Sequence, residues 1–206
     1  MLDRVALALL TPALRGLARR IARAGIGADA VTLAGFAAGM AGAIAIALEH
    51  PLAGLGLMLA SRTLDGLDGA VARLGTPTDR GAFLDIALDF LFSASIPLAF
   101  AIADPAANAL AAAALLAAFV GTGSSFLAFA ILAERRGIAN PRLPSKGFYY
   151  LGGLTEATET LSCFVLMCLW PGLFAVWAFG FAGLCVVTIV TRLWAGWRVL
   201  GNVSPR

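Results

Sequence analysis

The sequence predicts an all-α, polytopic membrane protein: six transmembrane helices preceded by an N-terminal amphipathic helix on the membrane surface. Three observations predict it. The 206 residues are 60% apolar and 13% charged, with a mean hydropathy of +0.89, and that charged share is about half of what a soluble domain carries. Six apolar segments follow one another, each long enough to cross ~30 Å of hydrocarbon as a helix. The basic residues also gather on one side of the topology that these segments define. Ala and Gly dominate the apolar count, and small residues let membrane helices approach closely, so a tight bundle is expected. The chain has no room for a second sizeable domain. Residues 1–206 are read as one membrane-embedded unit, with the surface helix over 1–26 and the six-helix bundle over 27–200.

The surface helix comes first. Arg4, Arg15, Arg19, Arg20 and Arg23 are interspersed among Leu, Ala and Val. Arginines running that far along do not suit a cleavable signal, and the pattern is that of a basic helix lying on the bilayer. Gly25 and Gly27 break it. The spans are placed at 30–48, 51–72, 81–103, 108–133, 147–169 and 172–197. Pro51, Asp104-Pro105 and Pro171-Gly172 mark three of the turns. Segment 73–80 and the polar stretch 134–146, with Asn140-Pro141 and Leu143-Pro144, mark two more. Of the fifteen Lys and Arg residues, none falls near 49–51, 104–107 or 170–172. The other side collects the N-terminal arginines, Arg73, Arg80, Arg135, Arg136, Arg142, Lys146, Arg198 and Arg206, so both termini are expected to be cytoplasmic. Only Arg62 and Arg192 fall well inside spans. Cys163, Cys168 and Cys185 lie in apolar stretches and read as small core residues. His50, the lone histidine, sits at a helix end and is a poor candidate for catalysis or a metal.

Asp65, Asp68, Asp85 and Asp89 fall inside spans two and three, where an acidic residue costs about 2.5–3.5 kcal/mol at mid-span. Separate salt bridges explain them poorly, because Arg62 and Arg73 are too few for four acids. Asp65 and Asp68 are three apart, Asp85 and Asp89 four apart, and both spacings place a pair on one helix face. A short cytoplasmic turn makes the two helices antiparallel neighbours, with their carboxylates at similar depth. Four convergent carboxylates need cations between them, and an all-oxygen set suits two ions of Mg²⁺ or Mn²⁺ that clamp a pyrophosphate. Gly66, Gly69, Ala72 and Gly81 leave space for a ligand or allow close packing. Arg73 is placed to hold a phosphate oxygen or to anchor the helix end.

Residues 65–89 read Asp-Gly-Leu-Asp-Gly-Ala-Val-Ala-Arg, seven residues, then Gly-Ala-Phe-Leu-Asp-Ile-Ala-Leu-Asp. This resembles the signature of the CDP-alcohol phosphotransferase family, D-x-x-D-G-x-x-A-R followed by G-x-x-x-D-x-x-x-D, with a spacer one residue shorter than usual. The resemblance implies that Asp65, Asp68, Asp85 and Asp89 surround a two-metal centre, and that Asp89 is the general base for the acceptor hydroxyl. It implies that Gly69 and Ala72 face the cytidine and that Arg73 contacts the nucleotide or pyrophosphate, with loop contacts around Thr78 and Asp79. Family members often carry Pro-Asn-x-x-Thr at the start of span one. Here Ala28-Asp29-Ala30-Val31-Thr32 stands there, so Asp29 and Thr32 are nucleotide candidates, and Asp29 is equally a helix cap. The implied reaction is attack of an acceptor alcohol on the lipid-side phosphate of a CDP-alcohol, with CDP-diacylglycerol the expected donor and CMP released. A homodimer in the bacterial inner (cytoplasmic) membrane is implied, with its site facing the cytoplasm and no nucleic-acid partner.

The acceptor is not legible. Arg135, Arg136, Arg142 and Lys146 suit an anionic acceptor or simply follow the positive-inside rule. Glu156 and Glu159 suit a cationic or polyhydroxy acceptor, or a pairing with Arg192. Two other functions use intramembrane acids. A cation or proton transporter explains the acids but not the Gly, Ala and Arg positions. An aspartate-rich prenyltransferase usually has more spans and acidic motifs far apart.

Overall fold

The structure, a computed structural model, describes residues 16–76, 78–138 and 154–201. Every regular element among them is helical. We number the helices α1 (Ala28–Ala47), α2 (Pro51–Ala72), α3 (Asp79–Ala103), α4 (Pro105–Arg135), α5 (Ala157–Leu169) and α6 (Phe174–Gly201), with a 3-10 turn at Pro171–Leu173 before α6. Residues 16–23 are also helical. Ala18 of that segment is buried with Val31, Leu67, Ala70 and Val71, while Arg19, Arg20 and Arg23 are exposed. Gly25 ends it with φ +77, a backbone conformation that glycine adopts without steric cost. The rest of the expected surface helix, residues 1–15, lies outside the described residues.

The turn chemistry explains most helix boundaries. Pro51 and Pro105 occupy first-turn positions of α2 and α4, where a missing N–H costs nothing. Asp104 caps α4 by accepting from Ala107 N at 3.0 Å, and Thr78 caps α3 by accepting from Gly81 N at 3.1 Å. Each oxygen satisfies a backbone donor that the helix itself leaves free.

Helices α1, α3, α4 and the run Pro171–Gly201 are long and apolar enough to cross a membrane, so the chain is an integral membrane protein. Helix α2 is long enough at 22 residues but carries Arg62, Asp65 and Asp68. Helix α5 departs from expectation. It begins at Ala157, not near 147, and its 13 residues rise only about 20 Å. Glu156 and Glu159 explain that start. They form a capping box at its N-terminus, each side chain satisfying a backbone N–H of the first turn. They are therefore helix-end residues and not acids at mid-span. Residues 139–153, the first part of the expected span, lie outside the described residues.

The bundle is built on close backbone approach. Helix α1 packs along both α2 and α3, and α4 packs along α3 and α6. A Cβ on Gly54 would come 2.5 Å from Ile46 Cγ1 and 2.8 Å from the Gly42 carbonyl oxygen, and one on Gly39 would come 2.6 Å from the Phe92 ring. Only glycine permits that spacing of α1 against α2 and α3. The aromatic core fills the opposite half of the bundle. Phe100 stacks on Phe174 at 4.7 Å, and Phe119 meets Phe164 and Phe181 edge-on. All three cysteines are buried and unpaired. This largely apolar half leaves the far ends of α1, α2 and α3 to form the acidic site.

Candidate active site

Helix α2 presents Arg62, Asp65 and Asp68 at intervals of three, and α3 presents Asp85 and Asp89 one turn apart. Helices α2 and α3 both pack along α1 and scarcely on each other, and their acids meet beside it. Carboxylate oxygens of Asp65, Asp68 and Asp85 lie within 4.8 Å of one another. At that spacing two bare carboxylates repel by roughly 3 kcal/mol, taking an effective dielectric of about 20. Asp68 is buried at 6% exposure, and Thr32 of α1 donates its hydroxyl to Asp68 Oδ2 at 2.5 Å. The neighbouring cation, Arg62, is directed elsewhere. Its Nη1 reaches Asp89 Oδ1 at 2.5 Å and stands 3.7 Å from Asp65 Oδ2.

The three converging acids form a metal-binding carboxylate cluster: three anionic oxygens, no sulfur or imidazole, and a spacing that one hard divalent cation bridges. Asp89 lies outside that trio but on the wall of the same small cavity. Thr32, Gly35, Phe36, Arg62, Asp65, Asp85 and Leu88 complete its lining.

The expected nucleotide contacts are placed around this cavity and, except for Thr32, not on its wall. Asp29 sits in the first turn of α1, whose N-cap is Gly27, so it is not the cap. It binds Arg80 instead, Oδ2 accepting from Nε at 2.9 Å and from Nη2 at 2.5 Å, and so ties α1 to the start of α3. Thr78 is the α3 cap. Arg73 is the residue that ends α2, and its Nη1 lies 3.3 Å from where a Gly69 Cβ would stand, so the guanidinium folds back over Gly69. Ala72 is half-buried beside it. These residues form a rim at the Arg73 end of α2 and the Asp79 end of α3. Arg192 is buried on α6, where its Nη1 donates to the Thr122 carbonyl at 3.2 Å and its guanidinium lies 5.7 Å from the Phe126 ring centre.

Sequence reasoning missed Gly35, Phe36 and Leu88 on the cavity wall, and it missed the partners of Asp29 and Asp89. Gly35 follows Thr32 by three and so shares its face, which is a usable signal. Phe36 and Leu88 look like any lipid-facing residue.

Known proteins resemble this chain in the same region. Residues 26–197 match the family model for CDP-alcohol phosphatidyltransferase. The inner membrane protein YnjF of Escherichia coli (strain K12) is 52% identical over 204 residues, 99% of each chain. The phosphatidylinositol phosphate synthase of Mycobacterium tuberculosis, solved with manganese and citrate, superposes with a TM-score of 0.71 and 26% identity, over 89% of this chain and 88% of that one. A second structure of that synthase, with CDP-DAG bound, shares the fold at a TM-score of 0.65 and 24% identity, over 89% of this chain and 93% of that one. With an acid cluster on α2 and α3 and a family match across nearly the whole bundle, the chain belongs to the CDP-alcohol phosphatidyltransferase family, the phospholipid-synthesising transferases.

Proposed function

We propose that the protein transfers the phosphatidyl group of a CDP-alcohol, CDP-diacylglycerol in particular, to an acceptor alcohol with release of CMP. The observation that carries this reading is the meeting of Asp65, Asp68 and Asp85 within 4.8 Å, on two helices that bear the family's motif. Two divalent cations, Mg²⁺ or Mn²⁺, would supply neutralisation of the pyrophosphate and of the departing CMP. The manganese in the mycobacterial synthase supports that choice. Asp65, Asp68 and Asp85 would hold them together with Asp89, and Thr32 fixes the orientation of Asp68. Asp89 also takes the acceptor's proton. The acceptor oxygen then bonds to the lipid-side phosphorus, the bond from that phosphorus to the bridging oxygen breaks, and CMP leaves. Gly69 and Ala72 leave room for the cytidine, Arg73 holds a pyrophosphate oxygen, and Asp29 and Thr78 shape the rim.

The reading includes a location. Six crossings place both termini and the 134–146 loop in the cytoplasm, with the acid cluster opening there. The Escherichia coli relative, named an inner membrane protein, supports an inner-membrane site. The 1–206 chain works as one domain, and a homodimer is the expected assembly. Labelled CDP-diacylglycerol, offered to the purified protein with a panel of alcohols, tests the chemistry. CMP release stimulated by one class of alcohol is expected. No release with any of them, from protein that is folded and metal-loaded, contradicts the proposal.

A further inference from the structure

One basic side chain stands among the carboxylates. Arg62 lies one turn before Asp65 on α2, on the side away from the rim. Its Nη1 is bonded to Asp89 Oδ1 at 2.5 Å and stands 3.7 Å from Asp65 Oδ2. Its guanidinium carbon is 4.0 Å from the Phe92 ring centre, a cation–π distance. Its Nη2 reaches Ser61 Oγ only at 3.5 Å, and its Nε is buried with no hydrogen-bond partner. An arginine fixed for architecture alone has its buried donors satisfied. Here a buried donor is left unsatisfied while the charge falls mainly on Asp89, with Asp65 the more distant partner. The four acids are thereby divided: three converge, and the fourth is held by a cation of the chain itself.

We propose that Arg62 is a built-in counter-cation for Asp89, and that it makes the two divalent ions bind unequally. Asp65, Asp68 and Asp85 would hold the first ion, and of these three Arg62 approaches only Asp65, at 3.7 Å. Asp89 would join in holding the second only once the guanidinium releases it, and the Phe92 face remains the guanidinium's resting place. Arg62 is thus a positioning residue: it keeps Asp89 turned aside until the site is charged. The inference rests on the two-cation reading above.

Manganese titration of the purified protein without lipid donor, following free Mn²⁺ by its electron paramagnetic resonance, tests it. The wild type is expected to bind in a tight and a weak step. Arg62→Gln should tighten the weak step by about tenfold and leave the tight step in place. Arg62→Met should do the same, which preserves the test if one neutral variant fails to fold. Arg62→Lys, which keeps the charge, should keep two unequal steps. Equal steps in the wild type, or a weak step unchanged or loosened in the folded neutral variants, overturns the role of Arg62 and leaves the two-cation reading standing. No manganese bound by the wild type at all overturns that reading itself.

Discussion

Asp68 and Asp89 are the same side chain in two settings, and the settings divide their work. Asp68 is buried and anchored by the Thr32 hydroxyl, which fixes one of its oxygens. That suits a ligand that must not move. The Asp89 side chain is 51% exposed and, among the described residues, bonded to Arg62, a partner that can be exchanged. That suits a group which must meet an incoming hydroxyl. Asp89→Asn keeps the shape but cannot take a proton. We expect the variant to bind a CDP-lipid, measured by displacement of a labelled one, while CMP release falls by about 10²-fold or more. Normal turnover would remove Asp89 as the base. At this scale the sequence was informative where it broke a rule: four acids in apolar runs are conspicuous because burial of charge is costly. It was silent where the answer depended on which rotamer a long side chain takes. Asp29 binds Arg80 across 51 positions, and no spacing rule reaches that far.

Among the elements, the site depends on how closely α1 lies against α2 and α3. Thr32 reaches Asp68 only because Gly35, Gly39, Gly42 and Gly54 let the backbones approach. Gly54 and Gly56 make a controlled pair. A methyl on Gly54 would press on the buried Ile46 and on the Gly42 backbone, whereas Gly56 has nothing within 4 Å. Gly54→Ala should destabilise the protein by about 1–3 kcal/mol, the cost of overpacking, and lower its midpoint in thermal unfolding. Gly56→Ala should leave the midpoint unchanged or raise it slightly. Equal midpoints would contradict the close approach. Helix ends were legible at Pro51, Asp104-Pro105 and Pro171, because proline and capping residues act locally. The start of α5 was misread because hydropathy does not distinguish a spanning helix from apolar residues that precede one. The Glu156 and Glu159 capping box was the available local signal.

For the whole molecule, the proposed orientation rests on charge placement and not on packing. The turns at 49–51, 104–107 and 170–172 carry no Lys or Arg, so we expect them on the side of the membrane opposite the termini. With Cys163, Cys168 and Cys185 replaced, single cysteines at His50 and Asn140 should react with an impermeant thiol reagent from opposite faces. Reaction from the same face would overturn the six-crossing arrangement. The class and the family were legible from end to end, because apolar composition and a motif of fixed spacing survive without coordinates. The division of the four acids into three and one was not, because it exists only once α1, α2 and α3 are packed.

We expect Asp65, Asp68 and Asp85 to hold divalent cations for transfer from a CDP-lipid. CMP release from CDP-diacylglycerol in a saturating mixture of alcohols, measured with Mg²⁺ or Mn²⁺, with excess chelator, and for Asp85→Asn, tests it most directly. The account predicts release by the wild type with metal, none with chelator, recovery when metal is restored, and a loss of about 10²-fold or more in Asp85→Asn. Undiminished release in chelator, or near-native release by folded Asp85→Asn, would contradict it.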